Sequence, residues 1–424
     1  MQTFLILQAS IFILPLFPAL GELGLLWILI RIAIAYFPKI INNPINRAWG
    51  ILSIWLIINS FLAYQPSEAF LGLANFLPFF ALFASLNIVI CNPNQLRRIS
   101  WLLVIPTLPI VILGLGQLYF NWHSPAFIKT LLGWELVPQG IPVGRMSSVF
   151  IYANFLAIYL AIAFILGLGL WLDIWKKSTL KNRSYLLLLL SIILLADAAG
   201  LGLANSRNAW GIAFLGCMAF AIYLSWYWLV SAVTAIGTAI LWASFGSFWG
   251  QKWLRKIVPI FIWGRLSDSM YPDRPRETLR ITQWEFCWSK IQENPIIGWG
   301  LRNYTPLYLE ATNFWFGHPH NLFLMLGMEI GIIASLVFCV IVAWILAQAI
   351  LFLRRSKKNS QLATKSDRLI LFSYILAFSC CILFNLLDVT IFDLRINTLC
   401  WILLSAIYGV SQQFSQDLYS TVKP

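Results

Sequence analysis

Five residues on this chain have side chains suited to chemistry on a negatively charged group: His320, Arg145, Arg207, Arg280 and Arg302. His320 and His318 are two of only three histidines. An imidazole titrates near neutral pH and can take a proton from an attacking hydroxyl, help worth roughly 10²–10⁴ in rate. Guanidinium groups hold phosphate oxygens through a rigid fork of donors. Together they suit a step in which a hydroxyl attacks and a diphosphate, its lipid tail in a bilayer, leaves.

Each residue also has a plainer reading. Arg207, in Ala204-Asn205-Ser206-Arg207-Asn208, could anchor a tight helix hairpin. Arg145 could pair with lipid headgroups. Arg280 could be the polar face of an ordinary interfacial helix. His320 with Asn321 could open and cap a helix. His318-Pro319-His320 could hold a metal, but no carboxylate or thiol lies near it in sequence to complete a site, so no metal is expected. His123 stands alone and reads as interfacial packing.

The elements that must position these residues are membrane helices. The chain is 60% hydrophobic and 11% charged, against roughly 45–50% and 25% in a soluble domain. Apolar runs predict about twelve transmembrane helices, at 3–20, 22–37, 48–64, 69–90, 99–120, 147–171, 185–203, 208–224, 227–247, 320–351, 369–388 and 394–412. The continuous run 208–247 is split at Ser225-Trp226-Tyr227-Trp228, since about 40 residues in one helix would reach roughly 60 Å, twice the hydrocarbon thickness. The predicted fold is one all-α polytopic membrane domain over 1–424. No internal repeat stands out. Residues 3–20 read as a retained helix rather than a signal peptide, there being no basic n-region or small-residue cleavage site.

The net charge of +13 sits mostly in short loops. Placing the N-terminus inside gives inner loops with Lys39, Arg47, Arg97, Arg98, Lys176, Lys177, Lys181, Arg183 and the cluster from Arg354 to Arg368. The short outer loops then carry only Lys129, Arg145, Arg207 and Arg395. This asymmetry predicts cytoplasmic termini and argues against a nucleic-acid role, because no basic soluble domain exists to carry one. The seven cysteines lie mostly in apolar spans without CxxC spacing. They read as small buried hydrophobes, with no disulfide frame or metal site.

The segment 248–319 is then extracytoplasmic, and a loop that long is a candidate functional element. It has turn chemistry at Tyr271-Pro272-Asp273-Arg274-Pro275 and at Asn294-Pro295-Ile296-Ile297-Gly298-Trp299-Gly300. Between them a helix over 276–292 is expected to lie in the interface on Ile281, Trp284, Trp288 and Ile291. A second outer insertion, 121–145, is rich in Pro and Gly. Inside the spans, Arg31 and Glu329 sit at comparable depth, and an ion pair between them is geometrically possible; Asp197 and Asp388 lie nearer span ends.

From about residue 70 to 350 the chain resembles the O-antigen ligase / O-antigen polymerase superfamily of bacterial membrane glycosyltransferases. His320-Asn321 is followed by nine residues and Gly331, with Ala334 where the family has a further small or polar residue. Arg280-Ile281-Thr282-Gln283-Trp284 and the Pro295–Gly300 turn resemble the family's approach to that His. Ser206-Arg207 looks like its Ser-Arg helix start, and Arg145 with Asn154 like its Arg…Asn pattern. The resemblance implies metal-independent transfer, with no cofactor, of a glycan from a polyprenyl diphosphate to a lipid-linked or protein acceptor at the outer face of the bacterial inner membrane. It implies His320 as the base, with Arg207 and Arg280 on the diphosphate and Arg145 as a weaker contact. Asn154, Trp284, Arg302, His318 and Asn321 are expected around the substrate. Some related chains are labelled bicarbonate transporters, so small-solute transport is the alternative. A transporter should show paired, broken helices at mid-membrane, whereas the polar groups here cluster at one surface.

Overall fold

The computed structural model describes residues 2–177, 182–247, 250–267, 275–358 and 362–422. The predicted turn at 271–274 and the inner-loop charge Lys181 lie outside them. The described residues form helices and the connections between them, with no strand among them.

The N-terminal third runs α1 (Gln2–Ile13), α2 (Pro18–Ala35), α3 (Phe37–Asn42), α4 (Pro44–Phe61), α5 (Pro66–Gly72) and α6 (Leu77–Val89). Next come α7 (Pro93–Val104), α8 (Thr107–Tyr119) and α9 (Ala126–Leu132). The middle has α10 (Ala153–Trp175), α11 (Arg183–Ala204), α12 (Arg207–Tyr223) and α13 (Tyr227–Phe245). The insertion that follows holds α14 (Gln251–Ile257), α15 (Ile260–Leu266), α16 (Arg280–Glu293) and α17 (Tyr304–Thr312). The chain closes with α18 (Leu322–Ile330), α19 (Ile332–Lys358), α20 (Lys365–Phe384) and α21 (Leu394–Val422).

Among the described residues, nine helical stretches are long and apolar enough to cross a membrane. The other three predicted spans also fold as helices: α1, α4 and α12. They fall outside the nine because α1 is only 12 residues, α12 is 17, and α4 starts on the polar Pro44-Ile45-Asn46-Arg47. The predicted break in 208–247 is present. α12 ends at Tyr223, Ser225 turns in the left-handed region (φ 60°), and α13 starts at Tyr227.

The helix α10 is the axis of the bundle. Most of its residues are buried, packed against α7, α11, α12 and α20. The same core continues between α4, α6, α19 and α21, where Trp49 stacks on Phe80 and meets Phe338 and Trp401 edge-on. The outward surface is apolar instead of polar. Along α19, Ile333, Leu336, Val340 and Trp344 all lie more than half exposed at helical spacing, the arrangement of a helix with one face to lipid.

One end of the bundle is pinned by charge. Arg97 bonds Asp173 (3.1 Å) and Asp367 (2.8 Å), and Lys177 also reaches Asp173 (2.7 Å), tying the starts of α7 and α20 to the end of α10. The other end of α10 carries the polar loops described below. Arg31 and Glu329 do not pair. Arg31 lies over the Trp27 ring, while the Glu329 carboxylate takes the backbone N–H of Tyr304 at 3.4 Å.

The predicted helix 320–351 is two helices, because Gly331 stands at φ +82°, ψ 160°, a region essentially reserved for glycine. The break leaves carbonyls unpaired in an apolar setting, which is costly. The Pro295–Gly300 turn satisfies them: Trp299 N–H bonds Met328 O (2.9 Å), Gly300 N–H bonds Glu329 O (2.8 Å), and Ile332 N–H bonds Pro295 O (2.8 Å). From the other side Trp55 Nε1 donates to Ile330 O (3.1 Å) and Asn59 Nδ2 to Ile297 O (2.7 Å). A Cβ on Gly331 would sit 2.0 Å from Ile296 O. Gly331→Ala is therefore expected to destabilise by more than the about 1–3 kcal/mol of backbone strain alone. A thermal unfolding midpoint in detergent unchanged from wild type would show the turn can yield.

Candidate active site

The site is built where α10, α12, α18 and α20 end or begin together. His320 is placed by backbone bonds on both sides. Its own residue turns in the left-handed region (φ 54°). Trp284 of α16 donates from Nε1 to Pro319 O at 3.0 Å, and His318 Nδ1 accepts the His320 N–H at 3.2 Å. Asn321 then caps α18, its side-chain oxygen accepting from Phe323 and Leu324 N–H at 3.0 Å each. Asn321 and Trp284, expected around substrate, thus hold the loop that presents His320.

Leu322 N–H bonds Asn385 O (2.9 Å), so α18 starts against the end of α20. There Asn385 closes a tight loop onto Thr390 through its side chain, accepting Thr390 N–H at 2.9 Å. The loop presents Asp388, which is almost fully buried. Its Oδ1 lies 3.4 Å from His320 Nδ1 and 3.8 Å from His318 Nε2, and accepts Val389 N–H at 2.9 Å. Its Oδ2 takes the Asn154 amide at 2.6 Å. Asn154 in turn accepts from Arg145 Nη2 at 2.6 Å. Arg145 also donates from Nε to Ala204 O (2.9 Å), three residues before Arg207. Asn208 completes the ring by donating to Phe384 O at 2.8 Å, which ties the first turn of α12 to the end of α20.

The structure therefore brings Arg145, Asn154, His318 and His320 into one connected cluster and sets Arg207 at the helix start beside it. Arg280 opens α16 close enough to bear on the charge of His318. Arg302 is placed differently: its Nε pairs with Glu68 at 3.0 Å in a neighbouring cleft. Asp388 was missed as a functional residue. Its only sequence signal was a carboxylate near a span end, since its partners lie 68 and 234 positions away.

Two sequence expectations are corrected here. A carboxylate does complete the His318-Pro319-His320 pair: the ligand atoms of His318, His320 and Asp388 lie within 4.8 Å of one another and could hold a cation. The interfacial helix begins at Arg280, after a 3₁₀ turn at Arg276–Thr278, and buries Gln283, Cys287 and Ile291. Of the face expected at the membrane interface, Ile281 and Trp288 are more than half exposed, as that position requires, while Ile291 turns inward. Cys287 and Ile291 pack with Tyr304, Tyr308 and Met328 of α17 and α18.

Burial pushes the His318 imidazole down to about 4; Asp388 pulls the other way, and His320 and Arg280 reinforce the fall. His318 is therefore neutral at pH 7. Burial also works against the Asp388 carboxylate, but its bonds and charges from His320, His318 and the Val389 N–H outweigh it and hold the pKa below the ordinary 3.8. Asp388 is an anion at neutral pH, and an anion facing His320 Nδ1 calls for a hydrogen on that nitrogen. His320 Nε2 is then left as the acceptor.

A carboxylate-oriented imidazole and several arginines at one end of a bundle of apolar helices are the groups that a membrane-embedded group-transfer site would need. Residues 192–339 match the family model described as O-antigen ligase, which supports the resemblance to that family drawn from the motifs and suggests glycan transfer at a membrane. The matched stretch holds Arg207, Arg280, Arg302, His318, His320 and Asn321, whereas Arg145, Asn154 and Asp388 lie outside it. The match lends no support to solute transport. The search of curated proteins found no match.

Proposed function

We propose that the protein transfers a glycan from a polyprenyl-diphosphate donor to a lipid-linked or protein acceptor at the outer face of the inner membrane, without a metal. The observation that carries this reading is the Asp388–His320 contact at 3.4 Å, set beside Arg145 and the first turn of α12. His320 Nε2 takes the proton of the acceptor hydroxyl. The freed oxygen bonds to the anomeric carbon of the donor sugar, and the bond from that carbon to the diphosphate oxygen breaks. The electron pair leaves with the polyprenyl diphosphate, whose charge Arg207 and Arg280 hold, with Arg145 behind them. The family match supports glycan transfer; donor, acceptor and residue roles are this proposal's.

Two further features support it. An apolar cleft of about 250 Å³ between α19, α20 and α21 has Leu322, Asn385 and Thr390 among its lining, and Cys339, Cys381 and Leu404 farther along the helices. Leu322 and Asn385 flank the site residues in sequence, so the cleft offers a path for an isoprenoid tail. The opposite end of the bundle carries Arg97, Arg98, Lys176, Lys177 and the Arg354–Arg368 cluster, which favours that end, and both termini with it, in the cytoplasm.

The test is transfer in nanodiscs from a radiolabelled polyprenyl-diphosphate glycan. Arg207→Lys and Arg280→Lys keep charge but lose the fork, and each is expected to lower kcat roughly tenfold or more. EDTA should leave the wild-type rate unchanged. Wild-type rates in both variants, or a loss with EDTA that a divalent metal restores, would refute the assignment.

A further inference from the structure

Beside the His318–Asp388 cluster lies a second cleft, of about 460 Å³, between α5 and α17. This volume is within the usual range for a small-ligand site, about 300–1,000 Å³. The His318 ring, stacked on Phe392 at 6.0 Å between centroids, lines one side. Trp315 lines it too and is 70% exposed. The polar lining comes from Gln65, Glu68, Arg302 and Thr305.

The cleft is braced. Tyr64 N–H bonds Trp299 O at 2.9 Å. Gln65 N–H bonds Oδ1 of the fully buried Asn303 at 2.7 Å. Arg302 is held in the left-handed region (φ 60°) while its guanidinium pairs with Glu68 at 3.0 Å. The side-chain amide of Gln65 and the hydroxyl of Thr305 make no hydrogen bond among the described residues.

These features select one ligand chemistry. The lining carries one anion, Glu68, and one cation, Arg302, already matched, so it has no net charge to offer a phosphate. Its polar groups make it a poor place for a lipid tail, since unpaired polar groups against hydrocarbon are costly. The exposed aromatic face of Trp315 beside amide, hydroxyl, carboxylate and guanidinium groups suits a neutral, polyhydroxylated ring with an apolar C–H face.

We propose that this cleft is a saccharide subsite, with a sugar ring lying on Trp315 and its hydroxyls bonded to Gln65, Glu68, Arg302 and Thr305. The assignment rests on the glycan-transfer reading for its setting, since the bound ring belongs either to the transferred glycan or to the acceptor. Through His318 the subsite adjoins Asp388 and His320, close enough to fix the register of a glycan whose neighbouring unit reacts.

The direct test is saturation-transfer NMR on the full chain in nanodiscs, with oligosaccharide released from the source cell's own surface glycan. Magnetisation should reach the sugar protons in the wild type and in Trp315→Phe, and be lost in Trp315→Ala. No transfer in the wild type, or equal transfer in all three, overturns the subsite, whether or not any enzymatic activity is detected. In the transfer assay, Trp315→Ala should raise KM about tenfold for one substrate, the most a lost ring contact is worth, while kcat stays within about twofold. A rise in the donor KM assigns the ring to the transferred glycan, and a rise in the acceptor KM assigns it to the acceptor. KM unchanged for both also overturns the subsite.

Discussion

Replacing His320 by Ala is expected to lower the transfer rate by roughly 10²–10⁴ while leaving the protein folded in the membrane. The size follows from what is removed: the one group placed to accept the acceptor's proton, with nothing else at the cluster able to take its place. His318 is neutral at pH 7, but its Nδ1 already accepts the His320 N–H and its Nε2 faces Asp388. Folding should survive because the His320 side chain makes one hydrogen bond, to Asp388, and is about a quarter exposed. The backbone at 320 is left-handed (φ 54°), a region Asn tolerates better than Ala. His320→Asn is thus the cleaner variant: the same loss of rate is expected with less change in thermal midpoint. Donor binding should persist in both, since the arginines are intact. A variant that keeps more than a tenth of the wild-type rate would remove His320 from the role of base.

What was legible in the sequence follows from the range of each interaction. The spans could be read because bilayer thickness acts on a continuous run of residues, and the Ser225-Trp226 break because one helix cannot exceed that thickness twofold. His320, Arg207 and Arg145 stood out as polar residues at the mouths of apolar runs. The Gly331 break could not be read from its neighbours, since its unpaired carbonyls are satisfied by Trp299 and Gly300 about thirty positions upstream and by Trp55, 275 positions from its acceptor Ile330. The inward side of α16 could not be read for a related reason: Cys287 and Ile291 pack on α17 and α18, partners that no pattern within the helix names. Asp388 was the largest omission. Burying a carboxylate is costly unless it is paired, yet its partners come from α10 and the loop before α18, which no local pattern connects. The same blindness made a metal at His318 and His320 look short of a third ligand.

Replacing Asp388 by Asn is expected to cost nearly as much as removing the imidazole, with a different signature. Asp388 touches no substrate in the proposed reaction; it positions His320. Both its oxygens accept: Oδ1 from Val389 N–H and His320 Nδ1, Oδ2 from the Asn154 amide. An amide at 388 has only one oxygen for these donors. If the oxygen stays on Asn154, the NH₂ turns toward His320 Nδ1 and the Val389 N–H, and the imidazole must put its hydrogen on Nε2, where it cannot act as base. If it turns the other way, two NH₂ groups face each other and Arg145 loses its anchor through Asn154. In the first geometry kcat falls about 10²–10⁴-fold, while the donor KM stays within about twofold because Arg207 and Arg280 are untouched. The charge is as important as the shape. The carboxylate remains ionised well below neutral pH, so in the wild type the dyad's orientation should not lapse as pH falls from 8 to 5. Asp388→Glu keeps the charge, shifts it by one methylene, and is expected to recover part of the lost kcat. A fall in kcat shared equally by the Asn and Glu variants, together with a lowered thermal midpoint, would make Asp388 a brace for the α20–α21 loop and leave His320 without an orienting partner.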